Sequence, residues 1–299
     1  MSTKRKKVSL KDTLRKFKSP FVCIVFLIFA VYSATLIYAL YWGMITSLKT
    51  RSNFVFDLFG TPQTLNISNY IVAWKYLFIE IGFEKRVYLP RLFLNSFIYA
   101  GGHAVICNVS TAACAYVCNK YKCKFTRFIY NLVIILMICP IVSSLGSQLD
   151  FAKKIGSYDN MLFAFWSCIG FNTANFLVLY ATFATVSWNY AEAAFIDGAS
   201  DFHVMTRIMF PLVRVQMMIL IVMTFISFWN NYFTPLIFFP SWPTAAVALY
   251  QFQWMADTAI SSIPVRMAAA LLVCMPCVIL FIAFRKQMVG NLTMGGLKG

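Results

Sequence analysis

Six stretches of this chain, at about residues 21–47, 93–118, 128–149, 161–187, 212–231 and 266–284, are apolar over the length that a helix needs to cross lipid. A bilayer core takes roughly 20 such residues. Hydrocarbon offers the backbone no hydrogen-bond partner, so a crossing segment must satisfy its own amides and carbonyls, as a helix does. The expected class is an all-α membrane protein with six transmembrane helices. The first run extends well past the roughly 7–15 residues of a signal h-region, and no small-residue cleavage site follows it, so it is expected to remain as a span. Only 12% of the residues are charged and the mean hydropathy is +0.71. Soluble domains carry about 25% charged residues, so this chain needs a different solvent.

The remaining charge is lopsided, with 26 Lys and Arg against 10 Asp and Glu and a net charge of +16. Nucleic acid would require a folded basic face, whereas these cations sit in short segments between apolar runs. They set an orientation instead. The tail at 1–19, the segment at 120–127, Arg207 and Arg214, and the tail at 285–299 together hold 17 of the 26, which places both termini in the cytoplasm. Residues 20–284 then form a six-helix transmembrane domain. The outer segment 48–91 carries six basic residues against that rule. With 232–265 it is rich in Trp, Tyr and Phe, which reads as an interfacial layer, a partner surface or ordinary aromatic belts.

What the spans lack limits what the chain can do. Intramembrane charge is expensive and usually functional, yet all ten acids lie outside the six runs. His103, beside Gly101 and Gly102, is the one strongly titratable group in a span, and reads as a packed or pore-edge histidine. The order of residues in a phosphate-binding GxxxxGK[ST] loop is missing. The nine cysteines, Cys274 and Cys277 included, fall mostly in apolar runs and have neither a second pair nor a nearby His, so neither a metal site nor a disulfide framework is expected. Any uphill transport must draw its energy from another subunit, and no cofactor is expected in this chain.

Between the fourth and fifth runs lies "NYAEAAFIDGASDFHVMTRIMFPLV", residues 189–213. Ala191, Glu192, Ala193 and Ala194 favour a helix, and the small side chains let another surface come close. Gly198, after Asp197, can take the left-handed conformation that closes a helix. Ser200 can cap a second helix, with Asp201 in its first turn. Phe202, Met205, Ile208 and Met209 give that helix an apolar spacing, and Pro211 is expected to break it where the fifth span begins. The result is a helix, a bend and a helix, held at both ends by spans.

Glu192, Ala193 and Ala194, then Gly198 four residues later with Ala199 beside it, then Ile208 and Pro211, closely resemble the "EAA" loop of ABC importer permeases. Further similarity lies in Thr46-Ser-Leu-Lys49, Asn95-Ser96, Trp229-Asn-Asn-Tyr-Phe-Thr-Pro-Leu236, Met267-Ala-Ala269 with Pro276, and the closing Gly296-Leu-Lys-Gly299. In this order they look like the G-type permease subunit of maltose-class carbohydrate importers. Trp188 departs from the family, which commonly has Pro there. The resemblance implies a type I ABC importer permease fold whose cytoplasmic coupling helix, within 189–211, docks on an ATP-binding subunit through Glu192, Ala193, Ala194, Asp197, Gly198, Ala199, Ile208 and Pro211. It also implies a second, F-type permease, two ATP-binding subunits that hold ATP and Mg, an extracellular solute-binding protein or lipoprotein, a sugar substrate and a bacterial plasma membrane. Asn172, Asn175, Asn230, Trp229 and Asn95 are candidates for the substrate path, although interhelical hydrogen bonds account for such residues equally well. Competing readings are a permease of the same class for a non-sugar solute, or an ion-coupled carrier or channel.

Overall fold

One helix of 32 residues, Leu89–Lys120, is the axis on which the rest is assembled. At 1.5 Å per residue it is about 48 Å long, enough to cross a bilayer and project at both faces. The computed structural model describes residues 20–82, 85–138, 145–162, 165, 173–255 and 262–292. In chain order the elements are α1 (Pro20–Ser47), α2 (Arg51–Phe56), α3 (Ser68–Tyr76), β1 (Phe78–Ile81), β2 (Lys85–Tyr88), α4 (Leu89–Lys120), α5 (Lys124–Ile138), α6 (Leu145–Lys154), α7 (Thr173–Thr185), α8 (Asn189–Ile196), α9 (Asp201–Leu212), α10 (Arg214–Trp229), α11 (Phe233–Phe238), α12 (Ala245–Phe252) and α13 (Ile263–Leu292).

Among the described residues α1, α4 and α13 are long and apolar enough to span alone. A fourth candidate is the pair α9 and α10, bent by 80°. The third and fourth runs are described only in part. In the run at 128–149 the described helices are α5, to Ile138, and α6, from Leu145, and 139–144 lie outside the described residues. Of the run at 161–187 the described continuous helix is α7, since most of 163–172 lies outside the described residues, as do the tails 1–19 and 293–299. The chain is mostly helical rather than all-α, because β1 and β2 form an antiparallel hairpin about Gly82 (φ 66°). Its alternation is plain: Ile79 and Val87 turn inward, while Glu80 and Arg86 pair outside at 2.9 Å.

Two cores sit at opposite ends of α4. At its N-terminal end Leu89 and Leu92 pack with Ala73 and Leu77, the hairpin, Ala245, Val247 and Phe252, and Val265 to Val273 of α13. The two aromatic-rich segments are thus largely folded against the helix ends. Lys49, one of the basic residues that ran against the charge rule, is fully buried there, its Nζ donating to the carbonyls of Asp57 (2.7 Å) and Leu58 (3.2 Å). At the other end of α4, Ala112, Ala115, Tyr116 and Cys118 pack with Phe176, Leu179 and Phe183 of α7 and with α8, α9 and the start of α10.

Between the two cores three helices are joined by a polar knot. Asn108 Nδ2 donates to Thr224 Oγ1 (3.0 Å), and Asn175 Nδ2 donates to Asn108 Oδ1 (2.9 Å), tying α4, α7 and α10 together. His103 is packed: it faces the Tyr99 carbonyl through Nδ1 at 2.7 Å and stacks on Phe228.

Candidate functional site

The loop at 189–211 is built as two helices about a sharp, fully hydrogen-bonded corner. Gly198 has φ 81°. Its amide donates to the Phe195 carbonyl at 3.0 Å, and that of Ala199 to the Ala194 carbonyl at 2.9 Å. This pair of bonds is the Schellman closure, which needs a left-handed residue at the corner and so favours glycine. Ser200, in extended conformation, then starts α9, its hydroxyl accepting from the His203 amide at 3.4 Å.

Within α9 residues Val204–Met209 form a π turn. The Phe210 amide reaches back to the Met205 carbonyl, and Pro211, lacking an N–H, follows inside a last turn that ends at Leu212. The break foreseen at Pro211 therefore falls two residues later, at Val213, where the 80° bend lies. The π turn also rotates the apolar face. Val204, Met209 and Val213 are buried, Met205 and Ile208 are half-buried, and Phe202 is 71% exposed. A π-bulge of this kind is often found at functional sites.

The loop is anchored to the end of α4. The Tyr121 hydroxyl donates to Asp201 Oδ1 at 2.5 Å, and Lys120 Nζ to the Val186 carbonyl at 2.6 Å. Burial, with the carboxylate acceptor second, pushes the Tyr121 phenol well above its ordinary range. Trp188, where the resembling family has Pro, stands at the start of α8 with its ring edge-on to Tyr121 (6.0 Å) and against Phe195 (6.0 Å). An aromatic ladder here holds the entry angle that a proline would otherwise restrict.

Ala194, Asp197, Gly198, Ala199 and Ile208 line one open concavity of about 570 Å³ with Ser200 and His203. Glu192, Ala193 and Asp197 face solvent, whereas Ala194 is nearly buried and turns inward, onto the floor of the concavity. The sequence reading did not single out Tyr121 or Lys120 as anchors or Ile196 (86% exposed) as an apolar tip, and it placed Phe202, which is exposed, on the apolar face of the second helix. A Lys-Tyr-Lys segment carries no motif, and its anchoring is a property of the fold.

The path candidates separate. Asn95 is buried, its Nδ2 donating to the Pro243 carbonyl at 2.9 Å; Trp229 is 1% exposed, its Nε1 donating to the Val273 carbonyl at 3.0 Å. Both are buried within the chain, and Asn95 Oδ1 has no hydrogen-bond partner among the described residues. Asn175 belongs to the polar knot, and Asn230 is exposed, with Nδ2 on the Ile226 carbonyl. Asn172 lies outside the described residues, as does Gly296-Leu-Lys-Gly299.

The family model described as "Binding-protein-dependent transport system inner membrane component" matches residues 110–290, more than half of the chain and all of this loop. The chain belongs to that family. Among curated relatives it is 24% identical to the melibiose/raffinose/stachyose import permease of Bacillus subtilis, over 96% of this chain and 100% of that one. It is 26% identical to the trehalose/maltose transport system permease of Thermococcus litoralis, over 74% and 80%. A crystal structure of a bacterial ABC transporter involved in the import of alginate superposes with a TM-score of 0.74 at 17% identity, covering 94% of this chain and 99% of its own. Another of an alginate transporter, in complex with an alginate-bound periplasmic protein, gives 0.53 at 13% identity, covering 87% and 92%. This inner membrane component therefore has the fold of an ABC importer membrane subunit.

Proposed function

We propose that this chain is a sugar- or oligosaccharide-translocating permease subunit of an ABC importer, with six spans and both termini in the cytoplasm. It pairs with a second, F-type permease. The loop at 189–211 docks on one of two ATP-binding subunits, which hold the ATP and Mg. An extracellular binding protein delivers the cargo. The observation that carries this reading is the loop itself: two helices locked about Gly198, stitched to α4 by Tyr121 and Lys120, with Glu192, Ala193, Ile196 and Asp197 turned outward. A part so fixed moves as a unit with α4 and α10, so a push on α8 is passed to the spans rather than absorbed. The curated relatives with sugar-named transport functions support a carbohydrate cargo.

The path then lies at the surface shared with the second permease, where Asn230 is exposed. The test is Gly198→Trp in the complete importer. The importer is expected to assemble normally and to lose sugar-stimulated ATP hydrolysis. Normal stimulation in that variant would refute the loop's role.

A further inference from the structure

Next to the loop's anchor, the turn from α4 into α5 forms a cavity of about 420 Å³ that the proposed function does not use. This is within the range of small-ligand sites. Its polar wall is Lys122, Arg127 and Asn131; its apolar wall is Tyr130 and Tyr180, whose rings pack at 4.7 Å. Among the described residues neither Lys122 nor Arg127, nor their exposed neighbour Lys124, makes an ion pair. Two cations thus line the cavity, with a third close by in the chain, and none of the three is paired with an acid among the described residues. The site lies at the end of α4, a helix long and apolar enough to cross a membrane, and on the proposed six-span reading this is headgroup depth. On the same helix Phe125 and Phe128 are 68% and 62% exposed and flank the cations, the arrangement of a side chain set at a lipid–water boundary.

From this geometry we infer a binding site for the phosphate of an anionic glycerophospholipid, held by Lys122 and Arg127 with the glyceride end along Tyr130 and the exposed Phe rings. A basic pocket among helix ends at a membrane face is the chemistry that selects such headgroups. Arg offers the phosphate a planar pair of donors, and Lys a point charge. The exposed Cys123 thiol lies in the same wall, its pKa lowered by hydrogen bonding from the Thr126 amide and then the Thr126 side chain. Backbone donors at the start of α5 thus face the same wall as the two cations. Tyr121, which holds Asp201 of the loop, is the residue next to Lys122, so a bound headgroup would brace the turn from which the loop hangs.

The test uses the assembled importer in neutral detergent, with retained lipid counted by native mass spectrometry after titration with phosphatidylglycerol. Each basic side chain at an anionic lipid surface contributes about fivefold in affinity. Lys122→Gln with Arg127→Gln, both exposed and so harmless to packing, is therefore expected to weaken the tightest phosphatidylglycerol roughly 30-fold. Arg285→Gln with Lys286→Gln, removing equal charge elsewhere, is expected to leave it unchanged. Equal loss in both pairs, or no loss in the first, would overturn the site in favour of diffuse attraction. Displacement of the lipid by inorganic phosphate alone would overturn the lipid assignment.

Discussion

Replacing Gly198 by alanine isolates one physical term. A Cβ built on Gly198 meets nothing within 4 Å, so no clash is involved, and the whole cost comes from holding an L-residue at φ 81°. That cost is about 1–2 kcal/mol, a factor of roughly 5–30 in the population of the closed corner. Asparagine tolerates the left-handed region better than alanine and should recover part of it. The direct reporter is hydrogen exchange at the Ala199 amide, which donates to Ala194 across the corner at 2.9 Å. Exchange is expected to speed up by roughly 5–30-fold in Gly198→Ala and by less in Gly198→Asn, with a parallel fall in sugar-stimulated ATP hydrolysis by the complete importer. If alanine left both unchanged, or asparagine proved as harmful as alanine, the corner would not depend on its backbone angle and the rigid-loop argument would fail.

Three further outcomes follow from particular contacts. The Tyr121 phenol is raised by burial and by its bond to Asp201, so its share of stability is complete below about pH 10, the ordinary phenol value, and is lost as pH rises above that. Alkaline loosening of the loop, followed by exchange at the Val204 amide, should therefore be absent from Tyr121→Phe, which is already loose at neutral pH. Asn108→Ala removes the centre of the polar knot and is expected to lower stability by about 0.6–1.7 kcal/mol, the range of interhelical hydrogen bonds in lipid, with sugar selectivity unchanged; altered selectivity at normal stability would mean that the knot faces the cargo. Cys123, exposed and with a lowered pKa, is expected to be the first cysteine alkylated in inside-out vesicles and to stay unlabelled in intact cells.

How far the sequence told this story depends on whether the signal was local. The helix-corner-helix loop was legible because each device in it is encoded where it acts, with Gly198 at the left-handed corner and Ser200 at the cap. The hairpin at 78–88 was missed although Ile79 and Val87 alternate with charged neighbours, because aromatic density drew the reading toward a membrane surface. The π turn could not be read from composition. It is what carries Phe202 outward and shifts the bend from Pro211 to Val213. Asn95 and Trp229 are path candidates by type, while their pairing with Pro243 and Val273, far along the chain, is fixed by tertiary packing alone. The anchors Tyr121 and Lys120 were invisible for the same reason.

The central claim is that the outer face of α8 is where an ATP-binding subunit grips this chain. Ile196, 86% exposed at the end of that helix, is the probe position. With Ile196→Cys in an otherwise cysteine-free importer, a short maleimide–benzophenone reagent, attached through the thiol and then irradiated to insert into a neighbouring C–H bond, should join this chain to the ATP-binding subunit, with a yield that changes when ATP is bound. Labelling of that position from outside intact cells, or the absence of any cross-link in the active complex, would contradict the account.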